Sequence, residues 1–249
     1  MIISYNNKIL GRNNLIVGYD GSTPVLPFPS DMHFVYVAND YDGDKIPNLA
    51  TNSTLGSFNR YESGTLTKVG SGANCYITNG SNNTNHLYVS METADLNLMK
   101  AENNTYTYYF RFVTDSNNTG GILCWRNPSF GSSYPDGYVY MFRCSSQCIQ
   151  FHTTSGTNTG LYVNIDTVYK ATVNGNNVNI VDLDDTTKSW TYSGGSFSRT
   201  MNPKMTTFWA GYSSEYAPNA KFYGAAGIAR ATTAEEDNQI KTFLMTQGV

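Results

Sequence analysis

The feature that most constrains this chain is a two-residue alternation in the stretch YTYYFRFVTD, residues 106–115. Its even-numbered positions from Tyr106 to Phe112 are all aromatic, whereas the odd-numbered positions from Thr107 to Val113 mix polar and apolar side chains. Successive side chains of an extended chain point to opposite faces. The alternation therefore predicts a β-strand that lays one face on a hydrophobic core.

Comparable stretches predict further strands at residues 33–38, 121–127, 137–144, 148–154, 168–185, 205–212 and 221–229. Within 168–185, two alternating runs flank an Asn-Gly-Asn-Asn segment in which Gly175 can supply the positive φ of a tight hairpin. Residues 145–147 join two other runs as a second hairpin. The 19 Tyr and 12 Phe suit strands and the 22 Gly suit turns, so the composition favours sheets.

A single helix is predicted at residues 233–246. Thr232 and Thr233 can cap it while Glu235 and Glu236 reach back, and apolar residues then recur at helical spacing. Strands at regular spacing with one terminal helix predict an all-β fold, a two-sheet antiparallel β-sandwich with one short C-terminal helix.

Residues 1–30 differ from the rest of the chain. Two short apolar runs suggest a hairpin-like arm, and Pro24, Pro27 and Pro29 suggest an extended connector. We therefore expect an attachment arm at 1–30 and a sandwich domain at 31–249. The alternative is that the arm is a first strand packed on the main domain.

Charge and hydropathy restrict the partners. Sixteen Lys and Arg against 19 Asp and Glu give a net charge of −3, so neither a nucleic acid nor an anionic membrane is an expected partner. The apolar run that opens MIISYNNKIL is too short for a signal-peptide core, and no run reaches the roughly 18 apolar residues of a membrane helix.

Two segments contain metal-ligating residue types. Asp40, Asp42 and Asp44 begin like a calcium loop, but its sixth and twelfth positions hold Lys45 and Thr51, so a turn is expected. The second segment holds Cys144, Cys148 and His152. No fourth zinc ligand is apparent there, and buried free thiols are preferred to zinc or a cross-hairpin disulfide. No metal and no cofactor are expected.

The order of these elements resembles a known family. A strand like residues 106–112, a hairpin like 168–185 and a small-residue strand that continues through Ile228-Ala229-Arg230-Ala231-Thr232-Thr233-Ala234-Glu235-Glu236 into a capped helix are similar to the laminin-G-like branch of the concanavalin A-like lectin and glucanase fold. The resemblance covers residues 31–249 and implies a concanavalin A-like jelly roll.

A second resemblance concerns bacteriophage proteins. Residues 47–53 look like a degenerate turn that similar phage and prophage proteins carry after their first strand, and the arm is similar to the starts of baseplate and fibre proteins. This resemblance implies a virion protein made in the bacterial cytoplasm. It also implies contacts with other virion proteins through residues 1–30 and a homo-oligomer, for which we expect a trimer.

The resemblance raises the question of catalysis, because the fold also includes glucanases with Glu-x-Asp-x-x-Glu on one strand. The chain has no such motif, and His33, His86 and His152 lie in unrelated segments. We therefore expect no enzyme and no catalytic residues, with a glycan-active hydrolase kept as an alternative.

Carbohydrate binding requires aromatic faces for sugar C–H groups and polar groups for hydroxyls. Residues 125–138 and 211–219 combine both. The candidate ligand-binding residues are Trp125, Asn127, Tyr134, Asp136, Tyr138, Tyr212, Tyr216 and Asn219. Packing remains the better interpretation of any single Tyr, and Trp190 and Trp209 are expected in the core.

Together these observations predict a bacteriophage structural protein, a fibre, tail or capsid-surface adhesin for host surface polysaccharide. A decoration or assembly subunit without glycan binding is the alternative.

Overall fold

The structure is a computed structural model that describes residues 3–5, 8–10, 16–18, 27–60, 65–80, 87–114, 120–126, 141–152, 156–193, 205–209 and 220–248. The described residues form the strands β1 (Ile3–Tyr5), β2 (Lys8–Leu10), β3 (Ile16–Gly18), β4 (Phe34–Val37), β5 (Lys45–Ile46), β6 (Phe58–Arg60), β7 (Thr67–Val69), β8 (Tyr76–Thr78), β9 (Leu87–Ser90), β10 (Thr105–Val113), β11 (Gly120–Arg126), β12 (Met141–Ser145), β13 (Cys148–His152), β14 (Gly156–Tyr162), β15 (Tyr169–Asn174), β16 (Asn177–Asp182), β17 (Ser189–Tyr192), β18 (Met205–Trp209) and β19 (Lys221–Ile228). The α-helices are α1 (Thr93–Met99) and α2 (Ala234–Thr246), and single 3-10 turns occur at Ala38–Asp40 and Gly72–Asn74.

These strands form two eight-stranded antiparallel sheets. The first has the order β17-β16-β15-β10-β19-β8-β7, with β4 also paired to β19, and the second has the order β14-β13-β12-β11-β18-β9-β6-β5. Strands β1, β2 and β3 form a separate three-stranded antiparallel sheet. The predicted fold class, a two-sheet antiparallel jelly roll with a short C-terminal helix, is confirmed.

The main core lies between the two large sheets. The aromatic positions of β10 supply its centre, since Tyr106, Tyr108, Phe110 and Phe112 are all buried there. Across the core they meet the second sheet, where Phe142 lies 5.7 Å from Tyr108 between ring centroids. Edge-to-face aromatic pairs of this kind add to the stabilisation from apolar burial.

The other face of β10 is buried as well, which corrects the expectation of a strand with one core face. Helix α2 covers the outer side of the first sheet, and Ile240, Phe243 and Leu244 pack there in a second apolar cluster that includes Tyr109. Phe28, from the predicted connector, packs edge-on against Phe243 at 4.9 Å.

Small residues in β19 permit this layering. A Cβ on Gly224 would lie 2.8 Å from the carbonyl oxygen of Tyr36 and 3.0 Å from a methyl group of Leu244. A Cβ on Gly227 would lie 2.4 Å from the ring of Phe34. Glycine at these two positions therefore lets β4 and α2 pack closely against β19.

The helix prediction was correct at the C-terminus and incomplete elsewhere. Thr233 caps α2 in a reciprocal capping box with Glu236, as the sequence indicated. Helix α1 was not predicted, because it has only seven residues, of which only Asp95, Leu96 and Met99 are buried. Among the described residues, no helix has the length and apolar character needed to cross a bilayer.

Candidate functional site

The predicted glycan loops lie almost entirely outside the described residues. Trp125 belongs to β11, where its backbone pairs with Thr206 of β18. The other seven candidates, Asn127, Tyr134, Asp136, Tyr138, Tyr212, Tyr216 and Asn219, are outside the described ranges. All eight residues therefore stay predictions.

The flanking strands do fix where the two loops begin. Arg126 pairs with Met205 at one end of the β11–β18 ladder, and Gly121 pairs with Trp209 at the other. The chain enters the first loop after Arg126 and the second after Trp209, so the two loops start at opposite ends of this antiparallel pair. We therefore treat them as two separate candidate sites.

The aspartate-rich segment forms a turn. Asp42 Oδ1 accepts hydrogen bonds of 2.9 Å from the backbone N–H groups of both Asp44 and Lys45, and Gly43 has a φ of 110°. These bonds lower the pKa of Asp42. Asp44 pairs with Arg60 at 2.7 Å. In the described part of the chain, no three His, Cys, Asp or Glu residues are grouped to hold a metal ion.

The cysteines of the β12–β13 hairpin are free and buried. Cys144 pairs with Ile149 in the ladder and Cys148 with Ser145, so the two cysteines occupy different rungs. Cys144 belongs to the main core. The preference for buried free thiols over a cross-hairpin disulfide is therefore confirmed at these two positions.

His33 belongs to a buried polar cluster that the sequence did not indicate. Its Nε2 lies 2.9 Å from Asp95 Oδ1, and its Nδ1 shares a 2.6 Å hydrogen bond with the Tyr106 hydroxyl. Asp95 Oδ1 also accepts from the Thr54 hydroxyl at 3.0 Å. Because His33 is 7% and Asp95 2% exposed, this cluster secures α1 to the sandwich and offers no surface to a saccharide.

Aromatic rings also lie on β17, at the edge of the first sheet. Trp190 and Tyr192 of β17 are stacked with their centroids 6.0 Å apart, and both pack against Phe151 of β13. Both residues are partly buried against the main core. Trp190 thus lies at the core's margin, and the side chain of Trp209 is outside the described part of the structure.

A polar row crosses the outer face of β12, β13 and β14. Arg143, Gln150 and Asn158 are consecutive partners in the ladder. Arg143 Nε donates to Gln150 Oε1 at 2.8 Å, and Gln150 Nε2 donates to Asn158 Oδ1 at 2.5 Å. Ile149 and Phe151 on either side of Gln150 are buried in the main core, so the row faces away from it.

An exposed tyrosine accompanies this row. Tyr162 pairs with Cys148, two residues before Gln150 on β13, and is 52% exposed. It is the one tyrosine that is exposed among those whose burial the structure describes. Neither the row nor Tyr162 was predicted, since the segment 156–162 contains glycine, threonine and asparagine and has no clear alternation.

The described elements define a fold class, a two-sheet antiparallel β-sandwich. No protein-family model matches the chain, and no curated protein matches it either. The likeness to known proteins therefore comes from solved structures.

Three solved structures illustrate it. A Trypanosoma rangeli sialidase in complex with 2,3-difluoro-KDN matches with a TM-score of 0.61 at 10% identity, covering 91% of this chain and 34% of that one. Domain 4 of a GH43 extracellular arabinanase from Geobacillus stearothermophilus, in complex with arabinotriose, matches with a TM-score of 0.57 at 8% identity, covering 85% of this chain and 98% of that one. The binding domain of botulinum neurotoxin DC, in complex with SialylT, matches with a TM-score of 0.53 at 11% identity, covering 86% and 52%.

The chain thus spans about a third of the length of the sialidase structures it matches. The prediction that the chain is not an enzyme is contradicted, because glycan-active proteins are among those that share its fold. At identities of 8–11%, the likeness shows the fold and assigns no catalytic residue to this chain.

Proposed function

We propose that this chain is a carbohydrate-binding protein of a bacteriophage particle, an adhesin that attaches to host surface polysaccharide. The observation that carries the glycan-binding part is the match to arabinanase domain 4. That domain matches over 98% of its own length and was solved with arabinotriose bound. The neurotoxin binding domain in complex with SialylT supports the same part of the proposal.

The virion part rests on the sequence resemblance of residues 47–53 and of the arm to phage proteins. We propose that residues 1–30 attach the protein to other virion proteins, that residues 31–249 form the glycan-binding domain, and that the assembled form is a homotrimer. In support, β1, β2 and β3 pair among themselves as a sheet of their own.

Binding of the purified full chain to an array of bacterial surface polysaccharides tests the glycan-binding part. We expect binding to at least one polysaccharide and a loss of about tenfold for Trp125→Ala, with Trp125→Phe close to wild type because the aromatic face is retained. No binding to any polysaccharide would move the protein to a decoration or assembly subunit.

A second candidate function, glycan hydrolysis, is favoured by the sialidase and arabinanase matches. The same array samples are assayed for released reducing ends. Release that depends on the wild-type chain would make it an enzyme.

For the virion part, peptides of the chain should appear in purified phage particles, and light scattering should give three times the chain mass of 27.5 kDa. The virion part would be rejected if the protein were a monomer in solution and its peptides were absent from purified particles.

A further inference from the structure

We propose that the outer face of strands β12, β13 and β14 binds a saccharide, with the ring of Tyr162 stacked on the apolar face of a sugar and the amide of Asn158 donating to its hydroxyl oxygens. This inference rests on the proposed glycan binding and gives it a location among the described residues. It is independent of the loops at 125–138 and 211–219.

Tyr162 is far more exposed than the core tyrosines. Tyr106, Tyr108, Tyr109 and Tyr169 are at most 2% exposed, whereas Tyr162 is 52% exposed. Aromatic rings are the side chains that sandwich cores normally cover, and an exposed ring beside polar groups is typical of a recognition surface.

The backbone under this ring is fixed. The carbonyl of Tyr162 accepts a 2.6 Å hydrogen bond from the hydroxyl of buried Tyr169, and the next N–H, of Val163, donates to the Gln147 carbonyl at 2.8 Å. A ligand that stacks on Tyr162 therefore meets a ring whose attachment point is ordered before binding, which lowers the entropy cost of association.

The polar row of Arg143, Gln150 and Asn158 has a defined hydrogen-bond direction. Because Arg143 Nε–H can only donate, the Gln150 oxygen must face Arg143 and its NH2 group must face Asn158. The Asn158 oxygen then faces Gln150, and the Asn158 NH2 group is left at the far end of the row. Since Asn158 is exposed at the sheet edge, it presents N–H donors in a set orientation. Hydroxyl and ring oxygens of a sugar are matching acceptors.

Tyr162 and Asn158 also lie close together along β13. The Tyr162–Cys148 and Asn158–Gln150 pairs lie two residues apart on β13, about 7 Å along the strand. A sugar on Tyr162 would thus hold its ring substituents within reach of Asn158.

A bulge produces this arrangement. The register of β14 against β13 shifts between the two pairs, where Gly160 has a φ of 76°. The Thr159 hydroxyl donates to the Ile149 carbonyl and accepts from the Leu161 N–H, which holds the bulge in place. Bulges commonly re-aim side chains next to binding sites.

The experiment measures affinity of the full chain for the strongest polysaccharide on the array and for arabinotriose, using wild type, Tyr162→Ala, Tyr162→Phe and Asn158→Ala. We expect a loss of about tenfold for Tyr162→Ala and about fivefold for Asn158→Ala, with Tyr162→Phe near wild type. Matched controls are Ile165→Ala, another exposed apolar residue at 49%, and Asn179→Ala, an exposed asparagine on β16 of the first sheet that bonds to Thr191 of β17. Both controls should bind like wild type.

The outcomes separate the two proposals. If wild type binds a saccharide and Tyr162→Ala and Asn158→Ala bind equally well, this surface is not the site and glycan binding stands. If wild type binds neither the polysaccharides nor arabinotriose, both proposals are rejected. Melting temperatures of all variants should match wild type, because the substituted side chains are exposed.

Discussion

The guanidinium of Arg111 donates two parallel hydrogen bonds, each of 2.7 Å, to the carboxylate of Asp166. Its remaining nitrogen donates to three backbone carbonyls, those of Ala73, Leu244 and Met245. The ring of Tyr223 lies 4.2 Å from its central carbon. Arg111 therefore joins the central strand β10 to the C-terminal end of α2, where helix carbonyls have no partner within the helix and attract a cation.

Replacing Arg111 by Met should lower the free energy of unfolding by about 3 kcal/mol, because buried carbonyls lose their donor. Asp166→Asn should cost only about 1 kcal/mol, since the Asp166 side chain is 43% exposed and is partly hydrated. Urea unfolding measures both. The control is Arg60→Met, which breaks a pair with Asp44, whose side chain is 80% exposed, and should destabilise the protein much less than Arg111→Met does. Equal effects at Arg111 and Arg60 would contradict the structural role of Arg111.

Replacing the buried Asp95 should destabilise the protein more than the shortness of helix α1 suggests. Asp95→Ala leaves His33 Nε2 and the Thr54 hydroxyl without this acceptor and removes a 3.1 Å bond to the Glu92 N–H at the start of α1. We expect a loss of about 3 kcal/mol in the free energy of unfolding, against about 1 kcal/mol or less for Thr54→Val. Chemical denaturation followed by circular dichroism distinguishes them, and a neutral Asp95→Ala would show that the cluster does not secure α1.

Glu236 should make the fold sensitive to acid. Both of its oxygens accept from the Arg230 guanidinium at 2.7 and 2.9 Å, and one accepts from the Thr233 N–H. The Arg230 hydrogen bonds and then that N–H lower the pKa of Glu236 from 4.5 to about 2. A depressed folded-state pKa stabilises the protein above 4.5, and the stabilisation is lost as pH falls from 4.5 to about 2.

The variant Glu236→Gln should therefore melt below wild type at neutral pH, and the difference should shrink as the pH falls through that window. Thermal melts over a pH series measure it. Glu235→Gln is the matched control, because Glu235 is an exposed acid in the same first turn of α2. If the difference in melting temperature between wild type and Glu236→Gln did not change with pH, the lowered pKa of Glu236 would be contradicted.

Local features of the fold were predictable from the sequence, and β10 shows where such prediction ended. The alternation placed Tyr106 and Phe112 in the core correctly. It could not show that Tyr109 on the opposite face donates to Asp237 at 2.6 Å, because that partner is 128 residues away on α2. Which helix covers which sheet face is long-range information that two-residue periodicity does not contain.

The candidate binding surface shows the same limit. Asn158 and Tyr162 share one face of β14, but their closeness along β13, opposite Gln150 and Cys148, depends on a register shift where Gly160 has a positive φ. Strand pairing and bulges are set by contacts across the sheet, so period-two patterns alone did not reveal this surface. The predicted loops were chosen by composition, and composition does not indicate that they begin at opposite ends of β11 and β18.

The β12–β13 turn offers a stabilising substitution. Ser146 and Gln147 both have positive φ, 50° and 63°, as a type I′ turn requires. Because asparagine tolerates this region better than serine, Ser146→Asn should raise the free energy of unfolding by about 0.5 kcal/mol, and Ser146→Val should lower it by about 1 kcal/mol. At the β15–β16 turn, Gly175 has a φ of 54° and space for a Cβ, so Gly175→Ala tests the cost of φ alone, about 1 kcal/mol. If all three variants had the melting temperature of wild type, the turn geometry would be contradicted.

The Cys144 thiol should be inert in the folded protein. It is fully buried, donates to the Gly120 carbonyl at 3.4 Å, and burial raises its pKa to about 12. Since the thiolate is the reactive form, iodoacetamide at neutral to mildly basic pH should leave Cys144 unlabelled in the native state and label it fully in denaturant. Peptide mass spectrometry reports each cysteine separately. Fast native labelling of Cys144, or recovery of a disulfide-linked Cys144–Cys148 peptide, would contradict a buried free thiol at this position.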